Sequence, residues 1–112
     1  MSPESLERLN PLFIDLASAL IEATPEWWTE ALLRVKAVRT PEEQALPTKK
    51  THKISSREFL KDIVVATDDV VAASRAIQAD CDAAGELWSE LEFRVEQSGG
   101  EWTFHAAFQY PE

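Results

Sequence analysis

Few residues in this chain could carry chemistry: His52, His105, Cys81 and the acidic pairs Asp68-Asp69 and Asp80/Asp82. A metal centre needs such groups clustered at ligand spacing. The two histidines are far apart in sequence and Cys81 has no nearby partner. The aspartate pairs would suit magnesium only with substrate phosphates completing the shell, and a solvated helix face explains them more simply. Cys81 falls among the apolar positions of a helix, where a small core thiol is expected. His105 alternates with the apolar residues of the last strand and should point to the opposite face. A catalytic role would need a nucleophile and an orienting group beside it, and neither is suggested. No Gly-rich phosphate loop, G-x-S-x-G or HExxH is present. The expectation is a protein without catalytic residues, metal or cofactor, acting by binding.

The sharper pattern is electrostatic. Twenty acids stand against eleven Lys and Arg, giving a net charge of −9. Such a chain repels a phosphate backbone, so direct nucleic-acid binding is not expected, whereas a basic partner is attracted. Between Glu58 and Glu101 there are eleven acids and only Lys61, Arg75 and Arg94 as bases. At about 100° per residue, Glu58, Asp62, Asp69 and Asp80 fall on one stripe of a long helix predicted there. An unpaired carboxylate row beside a buried arc suits Lys or Arg on a partner; a break at Thr67 would dissolve it. Trp27 and Trp28 are adjacent, so in a strand they face opposite ways. One is expected in the core and the other as an exposed anchor of the kind enriched in hot spots. Alternation alone leaves the choice open, and Trp28 joins the acids as an expected partner contact.

The elements that must position these groups follow from periodicity. Ser2 and Pro3 form a cap and first-turn proline. Leu6, Leu9, Phe13, Leu16 and Leu20 then mark a helix that stops near Thr24-Pro25. Asn10-Pro11 could restart it. From Trp27 to Val38 the period changes: Leu33, Val35 and Ala37 alternate with Arg34 and Lys36, a half-buried strand. Thr40 to Pro47 reads as an exposed loop and Lys49 to Ile54 as a short basic strand. Ser55 and Glu58 form a capping box that opens a helix through Phe59, Ile63, Ala66, Val70, Ala73, Ile77 and Cys81, ending at Gly85. Leu91, Phe93 and Val95, a Gln97-Ser98-Gly99-Gly100 turn, and Trp102, Phe104, Ala106, Phe108 and Tyr110 make a closing hairpin. The fold expected is α+β, one domain over residues 1–112: an antiparallel sheet of about four strands carrying an N-terminal helix and a long central helix. One cysteine excludes an internal disulfide. No basic segment precedes an apolar run at the N-terminus and no stretch is long enough to span a membrane, so a cytoplasmic protein without membrane attachment is expected.

The first helix running into Pro25-Glu26-Trp27, and the end from Leu87-Trp88-Ser89-Glu90-Leu91 through Phe104-His105-Ala106-Ala107-Phe108-Gln109-Tyr110, resemble the YezG-like family of bacterial immunity proteins. The similarity covers both ends of the chain, about half of it. The middle, Thr40 to Ser56, departs by being Pro-rich and basic. The resemblance implies an antitoxin that neutralises a cognate toxin with a basic surface, a nuclease domain foremost, and carries no active site. The alternative is a secretion or effector chaperone that holds a partner segment as a dimer; the immunity reading favours a monomer.

Overall fold

The computed structural model describes residues 3–111, so the Ser2 cap lies outside them. Helix α1 (Pro3–Ala23) is followed by strand β1 (Glu30–Lys36), single turns α2 (Pro41–Gln44) and α3 (Thr48–Thr51), strand β2 (His52–Ser55), helix α4 (Asp68–Ala83), and strands β3 (Glu90–Ser98) and β4 (Glu101–Gln109). The four strands form one antiparallel sheet in the order β2-β1-β3-β4. The architecture is α+β with an N-terminal and a central helix, as expected.

One face of the sheet holds the core. Ala31, Leu33 and Val35 of β1 and Leu91, Phe93 and Val95 of β3 are buried against Leu9, Phe13, Leu16 and Leu20 of α1 and Val70, Ile77 and Cys81 of α4. The period of two in the strands and of three to four in the helices sorts these residues inward. α1 runs unbroken through Pro11, so Asn10 does not restart it. Its exit was correctly placed: Ala23 is its last residue and Pro25 follows. The closing hairpin also forms, with a tighter turn than expected: Gln97 and Ser98 belong to β3, Ser98 stands opposite Glu101, and Gly99 and Gly100 alone turn, at φ +60° and +83°. Positive φ at both central positions is the two-residue turn whose twist matches the strands.

The central helix departs from expectation. It begins at Asp68, capped by Thr67, whose hydroxyl accepts from the Val70 amide at 3.3 Å. Ser55 ends β2 instead of capping a helix. Between them the chain is held in other ways. The Ser56 hydroxyl and the Arg57 amide donate to Glu30 Oε1, and Val64 bridges Ile54. Three consecutive β-branched residues, Ile63-Val64-Val65, resist helix, and a strong cap further on starts it afresh. Its far end is as read. The Glu86 amide bonds Cys81 O at 2.8 Å and the Gly85 amide bonds Asp82 O at 3.1 Å, with Gly85 at φ +79°. This is the 6→1, 5→2 pairing of a glycine-terminated helix.

Candidate functional site

The break at Thr67 removes the acidic stripe. Glu58 and Asp62 lie on the loop between β2 and α4, Asp69 lies in the first turn of α4, and Asp80 lies near its end. Asp80 is not free: it accepts from Arg8 Nε of α1, and Arg8 also approaches Glu86 at 3.8 Å. That contact ties the two helices together, so Asp80 leaves the candidate interface. Trp28 leaves it as well. Its indole is buried in the core and stacks on Phe59 with ring centroids 6.3 Å apart and planes 5° from parallel. Trp27 is the exposed member of the pair.

What the structure brings together is the loop itself. Phe59 is pinned under it by Trp28. Asp62 Oδ2 accepts from both indoles, Trp28 Nε1 at 2.9 Å and Trp27 Nε1 at 3.3 Å. Arg57, at the loop's start, reaches Glu96 of β3 at 3.0 Å. Between these anchors Leu60, Ile63 and Val65 project into solvent at 82, 90 and 68% exposure, with Trp27 beside them at 63%. These are the four most exposed large apolar side chains among the described residues. Single exposed apolar residues are ordinary, but a contiguous group marks an interaction site.

Exposed acids share this stretch of chain. Glu58, Asp68 and Asp69 are exposed with Asp62, and Lys61 is the loop's other base. Asp68 and Asp69 also sit in the first turn of α4, where the helix dipole favours negative charge. The segment therefore exposes apolar and anionic side chains together.

Asp62 should hold this shape. Asp62→Ala leaves two indole N–H groups without their acceptor, at a cost of about 1–3 kcal/mol, whereas Asp62→Asn keeps an acceptor oxygen. Urea unfolding of the two variants should separate them by that order, and equal stabilities would remove Asp62 as the anchor.

Elsewhere the candidate groups are accounted for by structure. Cys81 is fully buried, and burial pushes its thiol pKa up. His105 is exposed on the open sheet face opposite Arg94. Among the described residues no three His, Cys, Asp or Glu side chains converge as metal ligands would, and no helix is long and apolar enough to cross a membrane. Comparison with family models and with curated proteins finds no match.

Periodicity set Glu58 and Asp62 on the long helix, whereas they lie on the loop before it, and it gave no sign that Leu60, Ile63 and Val65 are exposed. Read on a helix, Ile63 belongs to the core face. The signal that could have found them is the β-branched run immediately before the Thr67-Asp68-Asp69 cap.

Proposed function

We propose that this protein is an immunity protein, a cytoplasmic antitoxin that binds a cognate toxin, a nuclease domain foremost, and blocks it without catalysis. The observation that carries the reading is the anchored loop, whose three exposed apolar side chains, with Trp27 bonded to its Asp62, stand in a stretch that also exposes Glu58, Asp62, Asp68 and Asp69. Such a surface fits an apolar recess edged by Lys or Arg. A nuclease offers that charge around its substrate cleft, and the exposed acids would steer encounter with it. The resemblance of both chain ends to YezG-like immunity proteins points the same way, as does the absence of any catalytic constellation in the sequence.

Co-expression with the product of the neighbouring gene tests it. The expected result is restored growth and a one-to-one complex. A toxic neighbour that is neither bound nor neutralised would sink the reading.

One observation favours the chaperone reading. β4 is an edge strand of nine residues, and Trp102, Phe104 and Phe108 on its inner face are only half-buried. An extended partner segment could add to that edge. A stable dimer that binds an unfolded segment of a non-toxic neighbour would select this reading over the first.

A further inference from the structure

A cleft of about 530 Å³ lies between the segment after β1 and the middle of α4, with Arg39 and Gln44 on one side and Arg75, Gln78 and Asp82 on the other. Most of its polar groups are committed. Arg39 grips Asp82, Nη2 to Oδ1 at 2.8 Å and Nε to both oxygens at 3.3 Å, and its guanidinium lies 5.8 Å from the Trp88 ring centroid. Gln78 spends its amide on Val38, donating to the carbonyl at 2.8 Å and accepting from the N–H at 3.4 Å.

Arg75 is the exception. It makes no ion pair among the described residues, and its Nη1 is buried with no acceptor. Burial lowers its pKa, the opposite of what a carboxylate partner would do. In a chain with twenty acids and eleven bases, an arginine left without a carboxylate is out of place. Arg75 also lines the cleft, so an anion there would give its guanidinium the charged partner it lacks. Asp82 balances Arg39, so the cleft keeps the one positive charge of Arg75.

We propose that this cleft binds an oxyanion, one carboxylate or phosphate group of a small molecule, with Arg75 as its donor. The planar guanidinium fork matches either group with two parallel hydrogen bonds. The cleft volume falls in the range of small-molecule sites, about 300–1,000 Å³. The site involves none of the docking-loop residues, so it stands or falls independently of the proposed function.

The test is arginine Nε–Hε NMR of the full chain, titrated with inorganic phosphate or with succinate at constant ionic strength set by chloride. The expected result is a saturable shift of the Arg75 resonance with one or both anions, while the Arg34 resonance stays put. Saturation by phosphate alone assigns a phosphate ligand, and by succinate alone a carboxylate. Arg75→Lys, which keeps the charge but loses the fork, should weaken binding at least about fivefold. No saturable shift with either anion, or undiminished affinity in Arg75→Lys, overturns the proposal. If that variant folds poorly, the titration of the natural chain still decides.

Discussion

If the proposed toxin partner docks on the loop, a chain carrying Leu60→Asp and Ile63→Asp should lose more than about 100-fold of its affinity for that partner and fail to restore growth, with its unfolding midpoint unchanged. Fully burying an aliphatic side chain contributes about 1.5–3 kcal/mol, and two are removed. Each new carboxylate would also have to be desolvated in an apolar recess without a partner. Folding should not register the change, because the two side chains are 82 and 90% exposed in the free protein. Titration calorimetry and thermal unfolding of the same samples check both halves. Leu6→Asp and Ile14→Asp serve as controls, since those residues are half-exposed on α1 and outside the loop. Full affinity in the loop variant would remove the loop from the interface. A large fall in midpoint would mean that the residues support the fold instead.

The contrast between hairpin and loop explains what the sequence could reveal. In β3 and β4 every local preference agrees: strict alternation, β-branched and aromatic residues inside, and Gly-Gly where φ must be positive. Consistency of that kind makes a segment readable from its residues alone. Around Phe59 the preferences conflict. Phe59, Ile63 and Ala66 continue the helical spacing of Val70, Ala73 and Ile77, yet each obeys a different constraint. Phe59 stacks on Trp28, Ile63 faces solvent, and Ala66 packs partly against the core. A long-range contact, Glu30 with Ser56 and Arg57, fixes the loop's start, and no window of periodicity contains it. The same holds for Asp62. Expected on a helix, it lies on the loop, and its engagement with two indoles depends on a strand entry 34 and 35 residues earlier. The mistaken stripe thus held two residues of the candidate site for the wrong reason. Trp28 was set on the wrong side because alternation gives relative facing and not absolute direction.

The other large effect concerns stability against pH and arises at His52. This residue is buried, with Nδ1 2.9 Å from the Thr51 hydroxyl and Nε2 2.8 Å from the Ser74 hydroxyl. Each hydroxyl also has a backbone acceptor, Val71 O for Ser74 at 2.9 Å and Thr48 O for Thr51 at 3.3 Å, so both nitrogens of the neutral ring are satisfied in either tautomer. Burial, reinforced by the charge of nearby Arg75, lowers the His52 pKa from 6.5 to about 4. The unfolded chain therefore takes up a proton below about pH 6.5 that the folded chain refuses until about pH 4. Stability is fully present above that window, falls as pH drops through it, and has lost about 3 kcal/mol from this group at the bottom. His52→Leu removes the titration while leaving backbone acceptors for both hydroxyls, Thr48 O for Thr51 at 3.3 Å and Val71 O for Ser74. Carboxylates titrate in both proteins, so the informative quantity is the difference between them in urea unfolding at pH 7.5, 6, 5 and 4.5. That difference should shift in favour of the leucine variant by up to about 1.4 kcal/mol per pH unit inside the window. Parallel curves would mean that His52 titrates alike in the folded and unfolded chains, and that burial beside Arg75 does not exclude the proton.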